Sequence, residues 1–188
     1  MKKKLLALVM AIACIVGTFS AVATVEQPIT VEAATKKKAP SISKVYSAVK
    51  KAYGKNYLPT GRYSNKEILQ YYGISSSWYS SVIAEYAENS AQVDELVIVK
   101  AKNADAKKKI KSALADYRRY QQEEAFQYPM NMPKVQAARI YVKGDYVCYI
   151  CLGVIDQKIY RGDDDGKKVD AYKAENAKAV NAIKKLYK

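Results

Sequence analysis

Eight residues in the middle of the chain, Glu95 to Lys102 (ELVIVKAK), set the strongest limit on its fold. This β-branched run has the length of a strand, is bounded by Asp94 and Asn103, and reads as the central strand of a sheet. It passes directly into a segment of another kind. From Asn103, a residue suited to cap a helix, to about Phe126, the apolar Ala106, Ile110, Ala113, Leu114 and Tyr117 recur on one helical face. Lys107 to Lys109, Lys111 and Arg119 occupy much of the rest, and Tyr128-Pro129 and Pro133 end the helix.

The flanking segments supply more of both kinds. Ser41 caps a helix in which Ile42, Val45, Tyr46, Val49, Ala52 and Tyr53 follow three- and four-residue steps, with Gly54 closing it and Tyr57-Leu58-Pro59 breaking it. A short helix over Asn65–Tyr72, stopped by Gly73, turns Ile68, Leu69 and Tyr72 inward. Residues 75–91 fit two periods: Trp78, Tyr79, Val82, Ile83 and Tyr86 form a helical stripe, yet Val82, Ala84 and Tyr86 alternate as in a strand. Downstream, Gln136–Val142 and Tyr146–Gly153 read as two strands joined by a tight hairpin at Lys143-Gly144-Asp145. The last helix spans about Val169 to Tyr187, with Tyr172, Ala179, Val180, Ile183 and Leu186 as its apolar positions. The expected class is α+β: an N-terminal helix, a mainly antiparallel sheet of about four strands in ββαββ order, and a C-terminal helix.

The N-terminus addresses the compartment. Lys2 to Lys4 precede an almost uninterrupted apolar run from Leu5 to Val25, as in a secretory signal. A-x-A-like cleavage sites end at Ala23 and at Ala33, and the later one removes the whole apolar run with its polar tail. The expected organisation is a signal peptide over 1–33, a basic linker over 34–40 and one α+β domain over 41–188, in a protein that is secreted or held in the cell envelope. The alternative is an uncleaved N-terminal membrane anchor, because the run is long enough to span a bilayer. Membrane contact is expected only in that case.

From Tyr46 to Gly153 the chain resembles the domain-of-unknown-function family 4358, found in small exported or lipid-anchored proteins of Gram-positive gut bacteria. The residues that carry the resemblance are VYSAVKKAYGKNYLP, YYGI, DELVIVKAK leading into AKKKIKSALADYRRYQQ, then FQYP and VKGDYVCYICLG, in that order. It implies an exported α+β domain without an established activity, transfers no catalytic residue, and tips residues 80–88 toward a strand. Many members carry a lipid-attachment cysteine. Here Cys14 follows Ala11-Ile12-Ala13 and the apolar run continues past it, so it reads as part of the leader.

Cys148 and Cys151 are the two cysteines outside the leader, and both fall in a predicted strand. Residues three apart on a strand point to opposite faces, with alpha carbons about 10 Å apart, beyond the reach of a disulfide. A redox C-x-x-C instead sits where a helix N-terminus lowers one thiol's pKa. A zinc site needs about four ligands, and the chain has no histidine and no second cysteine pair. The favoured reading is two unpaired, buried thiols, with a thiol-disulfide protein using Cys148 and Cys151 as the alternative.

Other motifs carry less chemistry. In RGDDDGKKVD (161–170), aligning Gly166 with the glycine of a calcium loop puts Arg161 at position one and Tyr172 at position twelve, where carboxylates are needed. The segment reads as a solvated acidic loop, and no metal or other cofactor is implied. The absence of histidine removes every Ser-His and Cys-His arrangement, and there is no phosphate-binding loop. The sequence therefore argues against an enzyme and offers no catalytic residue. Seventeen tyrosines are spread along the chain and define no binding strip.

Charge points to a partner. The net charge is +14, and cleavage after Ala33 leaves 29 basic against 16 acidic side chains. Such an excess favours polyanions, and for an exported protein these are anionic wall polymers or the charged membrane face and not nucleic acid. The expected function is a noncatalytic envelope module that binds such a polymer or an envelope protein, through Lys107, Lys108, Lys111 and Arg119 on the 103–126 helix.

Overall fold

A computed structural model describes residues 39–188; the leader, both cleavage sites, Cys14 and most of the basic linker lie outside them. The described chain forms a five-stranded antiparallel sheet in the order β1-β2-β3-β5-β4, with helices on both faces. Its strands are β1 (Gly61–Arg62), β2 (Tyr79–Tyr86), β3 (Glu95–Ala101), β4 (Arg139–Lys143) and β5 (Tyr146–Cys151). Four of these occupy the expected ββ and ββ positions. The fifth, β1, is a two-residue edge held to Glu85 and Tyr86 of β2, too short to leave a periodic signal.

Helices α1 (Ile42–Tyr53), α2 (Asn65–Tyr72) and α3 (Ala104–Glu123) start where the caps are written. Ser41, Ser64 and Asn103 each accept a backbone N–H of the first turn, and at α2 Glu67 answers to the Ser64 N–H, completing a capping box. The ambiguous segment resolves into a single 3₁₀ turn, Ser76–Trp78, and then β2. The strand wins because β2 finds a ladder along nearly the whole length of β3.

β3 is central, as its composition requires. Leu96 and Ile98 point to one face, where they join Val45 and Val49 of α1 and Ala179, Val180 and Ile183 of α6 (Asp165–Lys185). Val97, Val99 and Ala101 point to the other, against Ile68 and Tyr72 of α2 and Ile110 and Leu114 of α3. β5 alternates in the same way. Ile98, Ile110 and Leu114 are fully buried, so truncating any of them to alanine costs about 2–5 kcal/mol.

Several expectations need correction. Gln136–Val142 is not one strand: α4 (Met132–Ala137) occupies its first residues, and β4 begins only at Arg139. Pro133, read as a terminator, sits in the first turn of α4, where its missing N–H is no loss. Leu69 is 54% exposed and not inward. α3 stops at Glu123, leaving Phe126 90% exposed. A helix absent from the reading, α5 (Gln157–Arg161), follows β5. The acidic segment is not a loop throughout, since Asp164 caps α6 by accepting the Lys167 N–H at 2.9 Å and Asp165 lies in its first turn. Carboxylates there complement the helix dipole.

Candidate functional site

α3 presents two different faces. Ala106, Ile110 and Leu114 lock one onto the sheet, and at about 100° per residue Lys108, Lys111 and Arg119 fall together on an arc of about 80° facing solvent. Lys108 lies 4.0 Å from Asp105 and Arg119 3.2 Å from Asp116, both within the helix and well exposed, so water competes for these pairs. The Lys111 side chain forms no ion pair or hydrogen bond with another described residue. Lys107 differs: it is half-buried, and its ammonium donates to the Gly144 carbonyl at 3.0 Å, tying α3 to the β4–β5 turn. Of the four expected basic residues, three share the open surface and the fourth braces a hairpin.

Beside the C-terminal half of α3 lies a groove of about 650 Å³, lined by Tyr71, Tyr120 and Phe126 with Gln70, Gln121 and Gln127. These three rings are exposed, Tyr63 and Tyr117 line the groove from deeper in, and Gln127 donates to Gln121 at 2.6 Å. Flat apolar rings beside amide groups suit a ligand with both apolar faces and hydroxyls.

The tyrosines that looked scattered in sequence converge in pairs on buried glutamates. Glu85 of β2 accepts from the Tyr46 hydroxyl (3.0 Å), the Tyr57 hydroxyl (2.8 Å) and Arg62 Nη2 (2.6 Å). On the other face, Glu95 of β3 accepts from Tyr72 and from Tyr117 (2.9 Å). No cation pairs with it among the described residues. Burial pushes the Glu95 carboxyl up to about 7, against the downward pull of the two hydroxyl donors. Next to it, Asp94 forms a buried ion pair with Lys134 of α4 and also accepts the Gly153 N–H at 3.2 Å. Burial holds the Asp94 carboxyl above its ordinary range even so, with Lys134 opposing. A cleft of about 280 Å³ opens over this pair, with Asn131, Tyr160 and Tyr172 among its walls.

Sequence reasoning missed these carboxylates because their partners come from other elements. The usable signal was Asp94-Glu95 at the mouth of a fully apolar run, since two acids entering a buried strand need donors.

The cysteines occupy the positions that strand alternation requires. Cys148 packs in the α1/α6 layer and Cys151 in the α2/α3 layer, both free and both buried. Burial pushes each thiol up to about 12. The structure does not bring them together, so the redox alternative finds no support in it.

The model of the Domain of unknown function (DUF4358) matches residues 52–152, more than half of the chain. The chain belongs to this family. The DUF4358 match takes in every strand of the sheet, along with α2, α3 and α4, and with them the basic stripe, Glu85, Asp94, Glu95 and both buried cysteines. α5 and α6 lie beyond it. Among curated proteins and among solved structures, none matches the chain. No helix of the described residues is long and apolar enough to cross a membrane.

Proposed function

We propose that this DUF4358 chain is a noncatalytic, extracytoplasmic binding module whose ligand is an anionic wall polymer, bound along the solvent face of α3. The observation that carries the reading is the arc of Lys108, Lys111 and Arg119, whose charges face water with only exposed intrahelical partners or none. Such charges attract a polyanion from a distance and exchange weak partners for it on contact. The aromatic groove beside α3 offers a surface for the uncharged part of the same polymer. An envelope protein with an acidic face would use the same stripe but would not need the groove. The secretory pattern of residues 2–33 supports the compartment.

The test is retention on isolated wall material by the protein and its Lys108→Glu, Lys111→Glu, Arg119→Glu variant, at low and high salt. Retention is expected to fall steeply with salt and to be lost in the variant while its circular dichroism stays unchanged. Retention that ignores both salt and charge reversal rules the reading out.

A further inference from the structure

We propose that the pocket where α3, the α4–β4 junction and α6 meet is a site for a phosphate-type oxyanion, held by Arg118, Arg139 and Lys173. The pocket has a volume of about 300 Å³, and its remaining walls come from Gln136 to Ala138 and Ile140. Three cationic side chains line it and no acidic one does. Neither guanidinium forms an ion pair or a side-chain hydrogen bond with another described residue. Lys173 reaches Asp170 at 2.9 Å, but both side chains are exposed and the pair sits on the surface of α6.

The decisive atom is Arg118 Nε. It is buried, and it is the sole buried side-chain nitrogen or oxygen among the described residues that lacks a hydrogen-bond partner. Leaving a charged donor buried and unpaired is costly, and proteins tolerate it where a ligand or ion completes the set. A guanidinium presents Nε and one terminal nitrogen as a fork that matches two oxygens of a phosphate or carboxylate. Two guanidiniums without an acidic partner and an ammonium whose only acidic partner is the exposed Asp170 favour the more highly charged, many-oxygened phosphate over a single carboxylate. The fold supplies the rigidity: Asn176 of α6 clips the helix layer by donating to the Ala137 carbonyl at 2.9 Å and accepting the Leu152 N–H at 2.9 Å.

The site uses none of the three stripe residues and stands without them, although Arg118 follows Lys111 by two turns on nearly the same helical line. The experiment is a titration with inorganic phosphate at constant ionic strength, following the Arg Nε–H signals by NMR, with acetate and chloride as comparisons. Arg118 Nε–H is expected to shift to saturation with phosphate at about millimolar concentration and to respond much less to acetate. Arg118→Lys, which keeps the charge but loses the fork, is expected to weaken binding about tenfold. Arg139→Gln and Lys173→Gln are expected to weaken it severalfold each. The Lys108→Glu, Lys111→Glu, Arg119→Glu variant keeps this phosphate site even if it loses wall binding, so the two readings fail separately. Displacement of phosphate by a glycerol phosphate oligomer would assign the site to a polymer, and phosphate binding without such displacement to the free anion; either upholds it. A linear, unsaturated response, an equal response to acetate, or full affinity in a folded Arg118→Lys protein overturns it.

Discussion

Cys148 and Cys151, three residues apart on β5, lie on opposite faces of the sheet, one beneath α1 and α6 and the other beneath α2 and α3. Strand geometry alone dictates this separation, and the packing on each side removes both sulfurs from water. A thiol reacts as its thiolate, and burial pushes both thiols up to about 12. Alkylation of the native protein, mapped by peptide mass, is therefore expected to leave both unmodified until denaturant is added. Rapid modification of either thiol in the folded state would contradict the packing described here.

Glu95 makes stability depend on pH in an unusual direction for an acid. Its folded value of about 7 lies above its ordinary 4.5, so the folded state holds a proton that the unfolded chain has already released. Stability is then full below about pH 4.5, falls as pH rises through the window to about 7, and levels off above it. The loss across the window is on the order of 3 kcal/mol. Glu95→Gln removes the titrating group while keeping an acceptor for Tyr72 and Tyr117. Urea midpoints from pH 4.5 to 8 should fall for the wild type and stay flatter for the variant; parallel curves would contradict this role.

Asp94 and Lys134 offer a different kind of test, because the two opposite charges are buried against each other. Asp94→Ala strands the Lys134 ammonium and Lys134→Ala strands the carboxylate, and each is expected to cost about 3–5 kcal/mol. Replacing the pair together by leucine and methionine should cost much less than the sum, since no charge is left unpaired. Chemical denaturation of the three proteins measures the coupling, and additive losses would show that the pair does not act as a unit.

Gly153, two residues past the end of β5, has φ of 109°, donates its N–H to Asp94, and leaves room for no Cβ beside the Glu175 side chain, which would lie 2.5 Å away. Gly153→Ala is expected to cost about 1–3 kcal/mol from backbone strain alone. Adding Glu175→Ala removes the contacts with Cγ and Oε2 but keeps the Cβ 2.5 Å away, so it should recover only a part of the steric loss. Full recovery in the double variant would show that the backbone is unstrained.

What the sequence displayed openly was local. Ser41 and Asn103 announced two helix starts, and the run from Glu95 announced the central strand, because caps and apolar periodicity act over a few residues. Pro133 misled because a proline suits the first turn of a helix as well as it ends one, and only the structure shows which. Leu69 misled because α2 is too short for its stripe to be judged on two turns. The glutamate–tyrosine clusters could not be read in advance: Tyr46 and Glu85 are 39 residues apart, and Tyr117 meets Glu95 across 22. Of the basic residues singled out on α3, Lys108, Lys111 and Arg119 are legible from helical spacing, whereas Lys107 turns out to serve the hairpin at Gly144. Arg118, adjacent to one of them, carries an orphaned donor that no spacing rule reveals.

The most direct test of the central claim is the salt dependence of affinity for a polyanion of defined length, measured by titration calorimetry on the protein and on the Lys108→Glu, Lys111→Glu, Arg119→Glu variant. Each ion pair formed with the polymer releases bound counterions and steepens the fall of log K with log salt by a little under one. The slope for the variant should therefore be shallower by roughly two to three, with far weaker binding at low salt. Equal slopes and equal affinities in the two proteins would contradict a binding surface on α3.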